Sequence, residues 1–377
     1  MKYVYTCMSK EHTLPENVSD LPLEERMNYP GEWFFEDQEE KRNNRIEELE
    51  EELPESDVVG IVDTDSDGLA CHVVLEQAFG ENKNLTVIQG DGGEYGFQLM
   101  NTLQLVGEHV TPDTEVIIAD LAPDSDCSPF VAGLAHIDAT VRVIDHHDWE
   151  WHVKESMRGV SHQIRIGGDD MCAAQVLQEE ILPNPSDTIS EFLEVTADND
   201  LWIKEDPRSD HLSTLSFNMD AQDYVEAAQE YGADMVEKDS DIKALYNDVT
   251  KRSDRKVEIA TERATFKTIN GESVAFVYGD CYHSQVGDNL INEGADLVVI
   301  VKPRLKLSFR ASDDLPIAST LAKKFKNGGG HPKAAGANIY SNVSVPDDTE
   351  HTKLEYVWDN EGEPALEFME EFLHKHL

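Results

Sequence analysis

Asp63, Asp65, Asp67 and Gly68, in the stretch IVDTDSDG, are the first residues of this chain whose types and spacing could do chemistry. Alternate carboxylates followed by a glycine can surround a divalent cation, and a calcium loop begins in this way. Such a loop needs a bidentate glutamate at its twelfth position, where this chain has Val74. It also needs a helix before it, where Val58, Val59, Ile61 and Val62 read as a buried strand. The calcium loop is rejected on both counts, while an Asx-rich turn between strand and helix stays open on this stretch alone. Two later apolar runs also end in acid or imidazole: IIADLAPDSD brings Asp120, and VIDHHDW brings Asp145, His146 and His147. A set made mostly of carboxylate oxygen with some imidazole suits manganese or magnesium before other ions. Carboxylates gathered without a cation would repel, so one or two metal ions are close to a physical requirement. Two such ions polarise a phosphoryl oxygen and activate water near neutral pH.

The elements that must position these residues can be read from alternation. Strands are predicted over 58–62, 85–89, 116–119 and 141–144, with helices over 69–79, 97–108 and 128–136 between them. Alternating strands and helices predict an α/β fold with a parallel sheet covered on both faces. Ligands of such sheets bind beyond the carboxyl ends of the strands, which is where the aspartates and the two histidines would converge. An apolar alternation over 160–166 and helices over 169–180 and from 188 follow. Residues 206–262 read as an almost wholly helical connector. Strands over 264–269, 274–278, 297–301 and 306–310, helices over 285–292 and 316–325, and GGGHPKAAGA leading into a last strand predict a second, smaller α/β unit. Residues 1–56 form a polar extension whose helix is exposed or partly docked, and an acidic tail from 341 ends in an amphipathic helix over 365–374.

At 377 residues and 40% hydrophobic, the chain can bury a sizeable core in two domains or more. No apolar run approaches the roughly 18 to 20 residues of a membrane span, and the start lacks a signal peptide's apolar stretch. A soluble, cytoplasmic protein with no membrane partner is expected. Cys7, Cys71, Cys127, Cys172 and Cys281 are far apart and odd in number, so they read as free thiols. The 31 basic against 76 acidic residues give a net charge of −45, dispersed along the chain. Dispersed acidity fits a protein that stays hydrated in concentrated salt, as in a halophile, better than an acidic decoy, which would carry few globular signals. Against this background Lys302 to Lys333 holds eight basic residues (Lys302, Arg304, Lys306, Arg310, Lys323, Lys324, Lys326, Lys333) and two acids, Asp313 and Asp314. A solvated face of so acidic a protein would itself be acidic, so this segment is expected to bind anions.

The order DTDSDG, IIADLAPDS, DHH, TADND and GGGHPKAAG resembles the DHH phosphoesterases with an associated C-terminal DHHA1 domain, over roughly Val58 to Tyr340. The resemblance implies a catalytic domain over 57–205 and a substrate-binding domain over 263–340. It implies two Mn2+ or Mg2+ ions held by Asp65, Asp67, Asp120, His146 and Asp198, with Asp120 bridging. Asp63, Asp145 and Asp200 stand as supporting candidates, Asp198 being preferred to Asp200 in TADND. It further implies that His147 acts beside the scissile phosphate, and that Arg310 and His331, with Gly328, Gly329 and Gly330, hold substrate phosphate. Many relatives carry a histidine where this chain has Ile61; Asp63 stands two residues before the D-x-D pair instead, as in RecJ-like nucleases. The extra oligonucleotide-binding domain of bacterial RecJ is not seen after the second unit.

The implied activity is hydrolysis of single-stranded nucleic acid or short oligonucleotides to nucleoside monophosphates, as by a RecJ-like exonuclease or an oligoribonuclease, in a cleft between the lobes, with a homodimer as the candidate assembly. Two enzymatic alternatives share the same centre, a cyclic-dinucleotide phosphodiesterase and a 3′-phosphoadenosine 5′-phosphate phosphatase. A replication or repair scaffold that has lost its metals is the non-enzymatic alternative, and the full set of ligand residues weighs against it.

Overall fold

Val58–Val62 (β1) is VVGIV and every residue of it is buried, the pattern of a central strand covered on both faces. In the computed structural model, which describes residues 43–90, 99–122, 127–147, 149, 151–158, 161, 163–167, 170–278, 283–302, 306–325, 328–338 and 363–377, β1 is central to a five-stranded parallel sheet. Its neighbours are Leu85–Gln89 (β2), Glu115–Ala119 (β3), Thr140–Asp145 (β4) and Gln163–Ile166 (β5), in the order β2-β1-β3-β4-β5. The chain runs from β1 to one side and then returns to the other, so the order reverses between β1 and β3. A crevice for a ligand opens at such a reversal, outside the carboxyl ends of those two strands. Register completes the placement: Val62 pairs with Ala119, and Ala119 with Ile144. Asp63, Asp120 and Asp145 therefore follow one rung of the sheet.

The helices of this part are Ser66–Phe79 (α1), Leu99–His109 (α2), Ser128–His136 (α3), Trp151–Arg158 (α4), Ala173–Ile181 (α5), Asp187–Asp200 (α6), Arg208–Ser216 (α7) and Ala221–Tyr231 (α8). Residues Ser66 to Leu75 of α1 are all buried, because α1 lies on β1 and is covered by α5, α6 and α8. A helix enclosed on all sides reads as apolar all round, which LACHVVL does. On the opposite side of the sheet Val59, Ile61, Val116, Ile118, Val141 and Val143 meet Leu103 and Val106 of α2 and Val131 and Leu134 of α3. A helix at residues 43–52 docks there too, burying Leu49 with Leu53 behind it. Residues 1–42 of the expected extension lie outside the described residues. The helix expected from 169 begins at Ala173, capped by Cys172, and position 169 itself lies outside the described residues.

The connector expected over 206–262 is divided differently. Two compact units meet at Lys243 and Ala244, inside the long helix Ser240–Glu262 (α9). Helices α7 and α8 belong to the first unit because Leu212, Leu215, Tyr224 and Val225 are buried there. The second unit holds a six-stranded mixed sheet, ordered β10-β11-β9-β8-β7-β6. Its strands are Thr265–Ile269 (β6), Glu272–Tyr278 (β7), Leu297–Lys302 (β8), Lys306–Ala311 (β9), Gly329–Gly330 (β10) and Ala334–Asn338 (β11). Period-two alternation sends Leu297, Val299 and Val301 to one face, and Val298 and Ile300 to the other. Val257 and Ala260 of α9, with Val286 and Leu290 of His283–Asn292 (α10), cover the second face. Leu321 of Ala318–Ala322 (α11) and Met369 and Leu373 of Glu363–His376 (α12) cover the first. The end of the expected acidic tail is thus part of this core, tied further by Lys267 to Glu370 and by Asn270 Nδ2 to the His374 carbonyl at 3.2 Å. The stretch 341–362 lies outside the described residues.

A net charge of −45 makes both units repel themselves, and added salt screens that repulsion over roughly 10 Å at 0.1 M and roughly 3 Å at 1 M. The melting temperature is expected to rise continuously as potassium chloride goes from 0.1 to several molar. A flat or falling curve by differential scanning fluorimetry would remove the argument from charge.

Candidate functional site

The turn after β1 holds the first three carboxylates at different angles. Asp65 caps α1, its Oδ1 accepting from the amides of Asp67 and Gly68, each at 3.0 Å. A Cβ at Gly68 would stand 2.2 Å from the Asp63 carbonyl oxygen, so only glycine lets α1 start so close to the end of β1. Asp67 is fully buried and faces the start of α5, whose Ala173 and Ala174 amides donate to it at 2.7 and 2.9 Å. A helix N-terminus favours negative charge. Even so, burial, then the neighbouring Asp65, push Asp67 up to about 6.

Asp120 follows β3 with φ of 58°, a left-handed conformation rare outside glycine and best tolerated by Asn and Asp. The turn aims a buried carboxylate into the set, and its Oδ2 is buried with no hydrogen-bond partner. Burial, then Asp67, Asp65, Asp63 and Asp200, raise Asp120 well above the ordinary carboxylate range. After β4, Asp145 uses both oxygens. Oδ1 accepts from the amides of His146 and His147 at 2.8 and 3.2 Å and stands 2.7 Å from His147 Nδ1, while Oδ2 accepts from the Trp149 indole. Burial opposes ionisation of Asp145, but these donors outweigh it and hold Asp145 below its usual value. In return the hydrogen bond that His147 donates to Asp145, against some desolvation, lifts His147 to about 9. Asp145 is occupied in orienting His147 and contributes little free oxygen to a cation.

His146 Nε2 lies 3.3 Å from Asp200 Oδ2, 3.8 Å from Asp120 Oδ1 and 3.9 Å from Asp67 Oδ2. Potential ligand atoms thus fall into groups within 4.8 Å of one another: Asp63, Asp65 and Asp120; Asp67, His146 and Asp200; and Asp120 with Asp145, His146 and His147. Asp120 is shared between the two sides. Of the two aspartates in TADND, Asp200 and not the preferred Asp198 lies among these groups. Residues two apart on a helix point in different directions. Asp198 turns away and accepts from the amides of Glu205 and Asp206 at 2.9 and 3.2 Å, closing the turn after α6. Asp200 enters the cluster, where burial, then Asp67 and Asp65, push it up to about 8, and its Oδ2 is buried without a hydrogen-bond partner. Two unpartnered buried carboxylate oxygens and several carboxylates held above their usual values fit a set of residues suited to divalent cations. The donor set fits Mn2+ or Mg2+.

Replacing Asp145 with Asn removes the charge that holds His147. In the metal-free protein the His147 titration should fall from about 9 toward an ordinary imidazole near 6.5, followed by NMR. The sign is fixed by the raised value: the pair stabilises the fold fully below about 6.5, and that contribution fades as pH rises through about 9. An unshifted titration would mean that Asp145 does not orient the ring.

In the second unit, a pocket of ≈ 460 Å³ is lined by Lys302, Lys306 and Arg310 with His283, Ser308 and Gly330. Arg310 is fixed by Ser308 Oγ and the Phe309 carbonyl, each at 2.9 Å, and by Ser284 Oγ at 3.1 Å. Burial, then Lys302 and Arg310, push His283 down to about 4, so the pocket offers cations and one neutral imidazole at pH 7. Of the eight basic residues of the expected anion surface, Lys302, Lys306 and Arg310 line this pocket, Lys323, Lys324 and Lys333 are exposed elsewhere, and positions 304 and 326 lie outside the described residues. His331 is exposed and outside the lining; its amide and carbonyl close the β10–β11 turn on Ala334. The glycines answer to backbone demands as well, since Gly330 has φ of 127° and a Cβ at Gly328 would meet the Ala322 carbonyl at 1.8 Å. His283 was not singled out from sequence, because a lone histidine ahead of a helix carries no signal.

No family model matches the sequence. The chain is 24% identical over 298 residues to oligoribonuclease NrnB of Bacillus subtilis (strain 168), covering 74% of this chain and 72% of that one. It shares the fold of a DHH domain from a member of a family of ribosomal proteins, with a TM-score of 0.54 and 13% identity over 87% of this chain and 91% of that one. RecJ of Thermus thermophilus in complex with Mn2+ aligns at a TM-score of 0.46 and 14% identity, over 79% of this chain and 52% of RecJ.

Proposed function

We propose that this chain is a metal-dependent phosphodiesterase of the DHH kind that hydrolyses short single-stranded oligonucleotides to nucleoside monophosphates. The observation that carries the proposal is Asp120, a buried carboxylate with an unpartnered oxygen, shared between a group of aspartates and a group containing an imidazole. Asp63, Asp65 and Asp120 would hold one divalent ion, and Asp67, Asp120, His146 and Asp200 a second. Bound there, such ions would polarise a phosphoryl oxygen and activate water near neutral pH. The protein's own contributions are orientation and charge. Asp65 and Asp67 are fixed by backbone amides, so little reorganisation is needed on binding. His147 keeps its Nδ1 on Asp145, which leaves Nε2 to donate a proton toward a phosphate oxygen or a leaving group. The oligonucleotide class is supported by the similarity to oligoribonuclease NrnB and by the cationic pocket around Arg310 in the second unit, suited to a phosphate.

Purified protein incubated with Mn2+ at high potassium chloride should release monophosphates from end-labelled short RNA or DNA faster than it turns over cyclic di-AMP or 3′-phosphoadenosine 5′-phosphate. Turnover of none of them would sink the enzyme reading, and a preference for one of the last two would move the substrate class. Arg310→Ala should raise KM for an oligonucleotide by about tenfold or more with less change in kcat, the loss of charge-assisted hydrogen bonds worth roughly 1.5–3 kcal/mol.

A further inference from the structure

We infer that Trp202 is a stacking platform for a nucleobase of the substrate, presented by the turn that follows Asp200; this rests on the oligonucleotide reading above. Trp202 and Lys204 both have left-handed backbones, φ of 58° and 60°. Bulky side chains seldom adopt that conformation, and it persists only where the surroundings impose it. They do so here. The amides of Ile203 and Lys204 donate to the Asp198 carbonyl at 2.9 and 3.2 Å, those of Glu205 and Asp206 to its carboxylate, and the Trp202 amide to the Asn199 carbonyl at 3.0 Å. Asp198, which does not join the cluster, has this turn as its work.

The turn displays rather than hides its apolar residues: Trp202 is 49% exposed and Ile203 53%. Lys204 Nζ stands 4.6 Å from the centre of the Trp202 ring, and the same ammonium is anchored on Asn199 Oδ1 at 2.7 Å and Asp210 Oδ1 at 2.6 Å. An indole with a cation fixed over it is held in one orientation while half its surface stays open to solvent. Trp202 is two residues beyond Asp200, no more than about 7 Å of chain. A phosphate at the cluster and the base attached to it are separated by a comparable reach. Every base has a π face, so such a platform gives affinity without sequence preference, which suits an enzyme for short oligonucleotides of any sequence. Trp202 is thus assigned as a binding residue, and Lys204 and Asp198 as positioning residues.

The test separates the platform from the activity. In metal-free protein, a short oligonucleotide should quench the fluorescence of the wild type, and this quenching should be lost in Trp202→Ala and weakened in Lys204→Gln. With Mn2+, the wild type should prefer an oligonucleotide over one abasic at the terminal positions by about five- to 150-fold, the range of single-base stacking on an aromatic side chain. Trp202→Ala should abolish that preference and Trp202→Phe should keep most of it. Retention by Trp202→Ala of both the quenching and the preference would overturn the platform. Quenching that depends on Trp202 without turnover by the wild type would sink the phosphodiesterase reading and leave the platform standing.

Discussion

Replacing Asp120 with Asn is expected to reduce Mn2+-dependent turnover by about a thousandfold or more, equivalent to roughly 4 kcal/mol of transition-state stabilisation, while making the metal-free protein more stable. The two halves have one cause. Asp120 is common to the group with Asp63 and Asp65 and to the group with His146 and His147, so its loss should weaken both of the proposed ion sites together. Without ions, its charge is buried against Asp67, Asp65, Asp63 and Asp200, and burial already raises it far above the usual carboxylate value. A carboxyl raised in the folded state loses stability as pH climbs above its unfolded value near 4, so at pH 7 the neutral amide relieves a cost. Asparagine is the informative replacement. It tolerates φ of 58°, whereas alanine there would add backbone strain to the loss of charge. Thermal melts should therefore order Asp120→Asn above wild type in EDTA, with only the wild type shifting upward on adding Mn2+. Equal Mn2+-induced shifts in the two proteins would show that Asp120 holds no ion.

The second large effect separates Asp200 from Asp198. Asp200→Asn should cost more than the roughly hundredfold that marks a change in an outer-sphere partner, because it removes an oxygen proposed to bind a metal ion with Asp67 and His146. Asp198→Asn instead gives up one acceptor for the amides of Glu205 and Asp206, leaving a backbone donor unpaired at about 1–3 kcal/mol. Its metal affinity should stay near that of the wild type, and its activity should fall mainly through KM. Isothermal titration with Mn2+ alongside chemical denaturation measures both. If Asp198→Asn lost the metal and Asp200→Asn did not, the roles given to the two residues would be exchanged.

These two residues also mark where sequence stops being sufficient. The apolar runs ending in Asp63, Asp120 and Asp145 announce a parallel sheet with acid at one edge, and the register of β1, β3 and β4 follows that reading. In TADND, however, two aspartates two positions apart are equivalent until the turn after the helix is known, and that turn is fixed by hydrogen bonds that Asp198 accepts from residues five to eight positions further on, which no pattern in the sequence announces. Asp145 looks like a ligand by type, and only its hydrogen bonds to His147 and Trp149 reveal an orienting role. The helix at 221–231 carries the same amphipathic pattern whether it bridges units or packs inside one, and the helix at 208–216 has too little amphipathic pattern to say. Strand β10 is two glycines, with no side chain to signal a strand at all.

The shared rung of Asp63, Asp120 and Asp145 has a consequence for how the gene can change. Each strand acts as a ruler with a step of roughly 3.3 Å, and one added or deleted residue before Asp120 in β3 would turn its side chain to the opposite face. Such a change removes no functional group, yet it would dismantle the centre as surely as deleting one. Insertions should accordingly be tolerated in exposed helix-to-strand loops such as 111–113 and forbidden between Glu115 and Asp120. Tolerance to length, read position by position in an insertion library, would then trace the edge of the sheet without any reference to which residues are charged.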